Sequence, residues 1–354
     1  MVGIQLFLFL FISILEESGY MSRVVFLMDK SMRKFGLSGK SVVPLISGTA
    51  CAIPAIMATR NIENWKERLV TILVTPFTTC SARLPVYAII ISLIIPNKRV
   101  FGIFNYQGFT LMLLYLIGFS MALISALILN KILKIDSKSY FVVEMPNYKL
   151  PMFKNVAINV IEKTKSFVFG AGKIILALSV ILWFLASYSP SADFDNAEKI
   201  IASQSAPNEN IDAKVASYKL ENSYIGKIGK PIEPAISPLG YDWKIGIAIV
   251  TSFAAREVFV GTLATIYSIE GSEDQDVTIR QKLSEEVNPV TGDKLFNVAS
   301  GVSLLLFYAF AMQCMSTLAI TKKETNSWKW PAIQLVFMSG FAYTVALIAY
   351  QILK

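Results

Sequence analysis

The sequence predicts an all-α integral membrane protein, folded as a polytopic helical bundle. Hydrophobic residues make up 54% of the 354 residues and charged residues only 16%, whereas an average soluble domain carries about 25% charged residues. The apolar residues stand in long blocks, which is typical of helices that cross a bilayer. Prolines and glycines interrupt several of these blocks. The interruptions predict broken helices inside the membrane.

The first half of the chain contains four of these blocks. Residues 2–15 are shorter than the about 20 residues that span a bilayer. They lack the basic start and the small cleavage-site residues of a signal peptide, so we expect a spanning helix. Residues 42–58 and 69–95 are broken by prolines, and residues 108–133 are uninterrupted. The lysine-rich segment 136–166 predicts a cytoplasmic connector at the membrane surface.

The second half begins with a spanning helix over residues 167–187. A polar segment with both charge signs, 188–244, predicts an extracytoplasmic loop. Three further apolar blocks cover 245–267, 297–321 and 331–353. If every block crosses the membrane once, the two lysine-rich connectors cannot both lie in the cytoplasm. We therefore expect one of the broken, cysteine-bearing blocks to re-enter rather than cross.

Two repeats are predicted, one over residues 1–135 and one over 245–354. A weak echo supports them, because Cys51 and Cys314 are each followed, eight or nine residues later, by a basic residue. Transporters built from repeats place broken helices at a substrate site near the membrane midplane. The echo pairs Cys51 with Cys314.

The cysteines are the first candidate functional residues. Histidine is absent, so any metal or proton chemistry must use cysteine, methionine, carboxylates, hydroxyls or backbone carbonyls. Cys51, Cys80 and Cys314 lie within apolar blocks, where a disulfide framework is not expected. A thiolate is a soft ligand that suits Fe²⁺, Cu⁺ or Zn²⁺. A lone cysteine in an apolar helix is, however, more often a small packing residue.

Charged residues inside apolar blocks form the second group of candidates. Arg83, Arg256 and Glu257 lie in such blocks, where a charge costs at least about 2.5–3.5 kcal/mol. We expect them to be paired or to line a cavity. Glu16 and Glu17 lie at a helix end, where they act either as solvated caps or as residues that collect cations.

The net charge and the lysine–glycine stretches exclude two other classes of function. The net charge of +8 comes from loops between apolar blocks, which indicates contact with anionic lipid headgroups rather than nucleic acid. The stretch RKFGLSGKS has Lys34 where a phosphate-binding loop requires glycine. The sequence therefore shows no nucleotide-binding loop.

Five stretches together resemble the membrane region of the bacterial ferrous iron transport protein B (FeoB) family. In order they read ILEESGYMSRVVFLMDK, GKSVVPLISGTACAIPAIMATR, TPFTTCSARLPVYA, FVVEMPNYKLP and AAREVFVGTLATIY. They follow the family's order and span nearly the whole chain. Residues 42–95 and 300–321 resemble the family's paired gate regions. The resemblance implies a helical bundle with two gate-like repeats that contain broken helices.

The resemblance also implies Fe²⁺ transport across the bacterial inner membrane by a multi-pass permease. Cys51, Cys80 and Cys314 match the family's gate thiols, and Glu257 matches its intramembrane glutamate. The candidate metal-binding residues are then Cys51, Cys80, Cys314, Glu257, Glu16 and Glu17. Two departures from the family stand beside these thiols. Ala52 replaces a common asparagine, which removes an amide ligand, and Gln313 replaces a common proline.

The family carries a G-protein domain and earlier membrane helices ahead of this region. We therefore expect a fragment or one half of a split system, which is not an enzyme and keeps no cofactor bound. GTP would act only through a G-protein domain supplied by a partner. The other expected partners are Fe²⁺ as substrate, a small FeoA-like protein, membrane lipid and further copies of the chain.

Three alternatives stay open from the sequence. The chain is a secondary transporter of nucleoside-like solutes, which would use the helix breaks without needing thiols. It is a membrane fragment that transports nothing. Or the cysteines sense redox or nucleotide state instead of binding the ion.

Overall fold

The computed structural model describes residues 2–96, 99–100, 104–133, 148–189, 215, 218–219, 222–253, 256, 258–266 and 296–354. The regular structure in these ranges is almost entirely helical. Strands β1 (Arg99–Val100) and β2 (Phe104–Asn105) form one short antiparallel pair. The predicted all-α class is confirmed, because this pair adds no sheet to the core.

The α-helices are numbered along the chain. Those of the first half are α1 (Val2–Glu17), α2 (Tyr20–Arg33), α3 (Val42–Gly48), α4 (Ala52–Ala58), α5 (Trp65–Val74), α6 (Leu84–Ile94) and α7 (Tyr106–Ile132). The next are α8 (Phe153–Phe167), α9 (Lys173–Ser187), α10 (Tyr224–Ile236), α11 (Trp243–Ser252) and α12 (Val258–Ile266). The last are α13 (Val298–Phe310), α14 (Met315–Thr325) and α15 (Lys329–Leu353).

Four helical segments in the described ranges are long and apolar enough to cross a membrane. They are Trp65–Ile94, Tyr106–Ile132, Val298–Thr325 and Lys329–Leu353. The first contains α5 and α6, and the third contains α13 and α14, so both carry an interruption. Helix α9 and helix α11 are apolar but shorter. This pattern agrees with the predicted multi-pass bundle of whole and broken helices.

Polar caps fix where several of these helices begin. The side chain of Asn64 accepts a hydrogen bond from the Lys66 amide at the start of α5. Asp242 caps α11 through the Ile245 amide at 2.9 Å. Asn297 and Ser300 form a reciprocal capping box at the start of α13. Each cap satisfies amide groups that the first helical turn leaves without partners.

The chain divides into two compact units of interleaved segments. The first unit comprises Met1–Ala82, Leu114–Ile174 and Ser316–Val336, and the second comprises Arg83–Leu113, Ile175–Met315 and Phe337–Lys354. The predicted repeats, 1–135 and 245–354, stay a prediction. The described parts of the predicted connector and loop contain α8 and α10.

In the first unit, buried aliphatic side chains hold short helices together. Ile53 and Ile56 of α4 pack with Ile72 of α5 and Ile320 of α14. Gln334 of α15 is also buried there, and its amide donates to the carbonyls of Ile72 and Leu73 at 3.4 and 3.1 Å. A single side chain thus satisfies backbone groups of a neighbouring helix.

In the second unit, hydroxyl groups link helices across an aromatic core. The hydroxyls of Tyr241 and Ser303 lie 2.9 Å apart, and Ser303 donates to the Ala346 carbonyl at 2.9 Å. The rings of Phe310 and Phe341 meet edge to face with centroids 5.2 Å apart. These contacts join α13 to α15 and to the segment before α11.

A buried carboxylate organises the end of α14 in the first unit. The Glu324 side chain is only 3% exposed. Its oxygens accept hydrogen bonds from Arg60 Nε at 3.0 and 2.9 Å and from Arg68 Nη2 at 2.8 Å. The hydrogen bonds with Glu324 raise the pKa of Arg60 above its ordinary value. Two guanidinium groups therefore compensate one desolvated charge.

We expect Glu324→Gln to lower the thermal unfolding midpoint of the purified protein, because it leaves two guanidinium groups without their anion. Removing one partner of a buried pair lowers the free energy of unfolding by about 3–5 kcal/mol. We expect a loss near the lower end of this range, because the half-exposed Arg60 is partly solvated by water. The matched control is Glu63→Gln, whose carboxylate is 89% exposed beside Lys40 and should leave the midpoint unchanged. Equal midpoints for both variants would contradict a structural role for Glu324.

Candidate metal site at the helix breaks

The first break of the first unit separates α3 from α4. The amides of Ala50 and Cys51 both donate to the Ser47 carbonyl at 3.1 Å, which closes the end of α3. Cys51 then adopts an extended conformation, with φ −158° and ψ 133°, before α4 begins. Its side chain is partly buried against the isoleucine cluster. The predicted interruption at Cys51 is therefore present.

The second break of the same unit follows α5. A 3₁₀ turn over Thr75–Phe77 leads into Thr78, Thr79 and Cys80, which are not helical. The amide and the hydroxyl of Ser81 donate to the Ala50 carbonyl at 3.4 and 2.8 Å. Because Cys51 follows Ala50 and Cys80 precedes Ser81, these bonds bring the two cysteine-bearing segments together.

Two glycines allow neighbouring helices to approach this second break closely. A Cβ atom on Gly48 of α3 would overlap the Thr78 hydroxyl. A Cβ atom on Gly118 of α7 would lie 2.8 Å from Thr79 Oγ1 and 3.0 Å from the Phe77 carbonyl oxygen. Small residues at such contacts let protein, rather than lipid, cover an irregular backbone.

The second unit contains a corresponding pair of breaks. One follows α11 and includes Phe253 and Arg256, and the other is the non-helical segment Ala311–Cys314 between α13 and α14. The Met315 amide donates to the Phe253 carbonyl at 3.2 Å. The two breaks of this unit therefore contact each other through their backbones.

Arg256 is buried within these breaks, as predicted for a charge inside an apolar block. Only 6% of the residue is exposed. Its guanidinium donates from Nε to the Gln313 carbonyl at 3.3 Å and from Nη2 to the Ala311 carbonyl at 3.1 Å. The arginine thus satisfies two carbonyls that the helix break leaves without helical partners.

The backbone bonds pair Cys80, rather than Cys51, with Cys314. The residue after Cys80 donates its amide to Ala50, and the residue after Cys314 donates its amide to Phe253. The pairing of Cys51 with Cys314 stays a prediction that these bonds do not reproduce, because it counted residues to a basic side chain rather than backbone partners.

The six predicted metal-binding residues do not converge on one described centre. All three cysteines are in the thiol form. Glu16 Oε2 lies 2.9 Å from Lys163 Nζ, and Glu17 accepts a hydrogen bond from Asn155 of α8 at 3.0 Å. Glu257 lies outside the described residues. Within the described ranges, no three Cys, Asp or Glu residues are grouped to hold a metal ion.

The structure also assigns partners that the sequence did not indicate. Glu324 joins Arg60 and Arg68, and Gln334 joins two backbone carbonyls of α5. Arg83 is fully buried just before α6 in the second unit. The only sequence signal for Glu324 is an acidic residue at the end of an apolar block, directly after two lysines.

We expect Arg256→Leu to loosen the break that carries Cys314. The substitution leaves two buried carbonyls without donors, and each such group costs about 1–3 kcal/mol. In a Cys51→Ser/Cys80→Ser background, Cys314 should then react with a maleimide about tenfold faster or more, since a factor of ten corresponds to about 1.4 kcal/mol. Arg256→Lys, which keeps one cationic donor, should give an intermediate rate.

The control is the reactivity of Cys80 in a Cys51→Ser/Cys314→Ser background. That rate should not change on Arg256→Leu, because Arg256 bonds the break of the second unit alone in the described residues. An unchanged rate at Cys314 would show that the guanidinium does not hold this break closed.

Two family models match the chain. The Gate family, described as nucleoside recognition, matches residues 1–94 and 168–328. The family described as the ferrous iron transport protein B C terminus matches residues 111–163. Together the matches include both cysteine-bearing breaks of the first unit and the break before α14. No solved structure matches the chain.

Three curated relatives are similar to this chain over nearly all of its length. The Fe(2+) transporter FeoB of Leptospira biflexa is 49% identical over 347 residues, which is 98% of this chain and 48% of the relative. The FeoB of Staphylococcus aureus strain MSSA476 is 36% identical, over 98% and 45% of the two chains. A Porphyromonas gingivalis protein named as an Fe(2+) transport protein A/FeoB fusion is 34% identical, over 98% and 42%.

The chain spans about half the length of the curated relatives it matches. The Gate match covers most of its residues and includes all three cysteines. The chain therefore belongs to the Gate family, within the C-terminal membrane region of the FeoB transporters, as a multi-pass protein of the bacterial inner membrane.

Proposed function

We propose that this chain is the permease part of a ferrous iron transport system and carries Fe²⁺ across the bacterial inner membrane. One observation carries the proposal: Cys80 and Cys314 each directly precede the amide that bonds one helix break to another, in a chain that matches the Gate family. Relatives named Fe(2+) transporter FeoB support iron as the solute.

The thiols are the ligands that the breaks offer to the ion. The Ala50 carbonyl already accepts from Ser81, and the Ala311 and Gln313 carbonyls already accept from Arg256. Those carbonyls accept hydrogen bonds from protein donors, whereas the choice of Cys80 and Cys314 rests on the soft-ligand chemistry of their thiolates. Fe²⁺ is borderline soft and accepts thiolate. One or two thiols at a time bind the ion without trapping it, as a complete cysteine cage would.

Carboxylates complete the proposed path. Glu257 follows Arg256 in the sequence, and a carboxylate there would offset the repulsion between a guanidinium and a divalent cation. Glu16 and Glu17 would collect the hydrated ion at the end of α1. To do so, Glu16 must exchange Lys163 for the ion, which is inexpensive because both side chains are partly exposed.

Energy coupling would come from outside these residues. We infer that a G-protein domain acts on this chain as part of the same transporter, that GTP is used there, and that this membrane region performs no catalysis itself. The fusion of an Fe(2+) transport protein A to FeoB in the Porphyromonas gingivalis relative supports a small FeoA-like partner. Assembly of several copies of the chain belongs to the same proposal.

A second candidate function is transport of a nucleoside-like solute. The description of the Gate family as nucleoside recognition favours it. Such a transporter would use the broken helices but would not need the thiols. The third candidate, a membrane region without transport activity, predicts no solute movement under any condition.

We expect Cys80→Ser and Cys314→Ser each to reduce Fe²⁺ uptake strongly, because a serine hydroxyl is a poor ligand where a thiolate is lost. The assay uses a chimera in which the full chain replaces the matching half of the Leptospira biflexa relative. Uptake of radioactive Fe²⁺ is measured in bacteria that lack their own ferrous transporter. A loss of about tenfold or more corresponds to about 1.4 kcal/mol of ion binding.

The matched control is Met338→Leu, which removes a buried sulfur from α15, a helix that contains neither break, and should keep uptake at the wild-type level. If both serine variants transport normally, the ligand role is wrong although transport stands. If the serine variants keep full uptake but their uptake no longer responds to a reductant, the cysteines act as redox sensors. Uptake of a radioactive nucleoside instead of Fe²⁺ would replace the proposal by its alternative, and no uptake of either would support the third candidate.

A further inference from the structure

A cavity of about 460 Å³ lies within the first unit. Its walls come from α1, α2, α3, α4, the turn after α4, and α8. The apolar part of the wall includes Phe9, Ile12, Val25, Val43, Pro54 and Met57. The charged part consists of Glu16, Lys40, Arg60 and Lys163. The cavity therefore offers both an apolar and a charged surface.

The two surfaces are separated along the walls. On α1, Phe9 and Ile12 precede Glu16 on one face, and seven residues of helix place Glu16 about 10 Å beyond Phe9 along the axis. On the neighbouring wall, Pro54 and Met57 of α4 precede Arg60. Each of these two walls therefore carries both apolar and charged residues. A molecule that fills the cavity must be amphipathic.

The charges favour an anion. Lys40 pairs with Glu63, Lys163 with Glu16, and Arg60 shares Glu324 with Arg68. Counting these partners, four cations face three carboxylates, which leaves one positive charge in excess. A phosphodiester carries one negative charge and accepts hydrogen bonds from guanidinium and ammonium groups. The excess matches the single negative charge of a phosphodiester.

The cations are also able to exchange partners. Glu63 is 89% exposed, and Glu16 and Lys163 are 48% and 37% exposed. Exposed ion pairs of this kind contribute little to stability, so a phosphate group replaces a carboxylate at Lys40 or Lys163 at small cost. Arg60 keeps its bonds to Glu324 and needs only to face the phosphate.

We propose that this cavity binds an anionic glycerophospholipid, with the headgroup phosphodiester at Lys40, Arg60 and Lys163 and the upper acyl chains against Phe9, Ile12 and Met57. The apolar end selects a lipid over free phosphate, and the candidate spans elsewhere in the chain keep it within a bilayer where such lipids are abundant. This inference does not depend on the proposed transport of iron.

The experiment measures lipid binding to the purified full chain in detergent by native mass spectrometry. The probes are phosphatidylglycerol, phosphatidylcholine and inorganic phosphate. We expect phosphatidylglycerol to bind more tightly than phosphatidylcholine, and Lys40→Gln/Lys163→Gln to weaken its binding about tenfold or more, since both lysines attract the anionic headgroup. Millimolar inorganic phosphate should not displace the lipid.

The matched control is Lys30→Gln/Lys34→Gln, which makes the same change of charge on exposed lysines outside the cavity wall. It should leave binding unchanged. Glu16→Gln should strengthen phosphatidylglycerol binding, because it removes the anion that competes for Lys163. This opposite sign separates a binding site from simple misfolding.

Three results would overturn the proposal. Equal weakening by both double-lysine variants would show a general surface effect. Equal binding of phosphatidylglycerol and phosphatidylcholine would show that the cations do not select an anion. Displacement of the lipid by inorganic phosphate would show that the apolar end contributes nothing.

Discussion

The need to satisfy backbone groups where apolar helices break controls the position of every cysteine in this protein. Hydrocarbon offers no hydrogen bonds, so an interrupted helix survives only where protein groups replace the missing partners. Ser81 supplies two donors to Ala50, and Met315 supplies one to Phe253. Each break is therefore held by another break. Cys80 and Cys314 take their places from these bonds, since each directly precedes the donating amide.

The buried charges serve the same constraint in two ways. Arg256 uses its guanidinium as a donor to two carbonyls, which explains how a cation is tolerated in an apolar block. Glu324 is compensated instead by two guanidinium groups that reach it from the turn after α4 and from α5. Arg256 thus supplies hydrogen bonds to carbonyls at a helix break. The ion pairs of Glu324 instead join separate helical segments.

The sequence predicted the helical class, the interruptions at Cys51 and Cys80 and the burial of Arg256, because each depends on local composition and on the cost of polar groups in a bilayer. It could not predict which groups meet. Arg60 and Glu324 are 264 residues apart in the chain, and no local pattern encodes that contact. The pairing of Cys51 with Cys314 differs from the backbone bonds for the same reason. Residue spacing in the sequence does not show which amide bonds to which carbonyl.

The backbone contacts make the pair of breaks in the first unit and the pair in the second unit unequal as candidate sites for a soft metal ion. In the first unit, Cys51 and Cys80 flank one hydrogen-bonded contact, so two thiols belong to the same local structure. In the second unit, Cys314 is the one cysteine among the described residues of the two breaks. Affinity for a metal rises with the number of thiolate ligands, and so does the time for release. For the proposed passage of Fe²⁺, a two-thiol position would suit capture of the ion and a one-thiol position would suit its release.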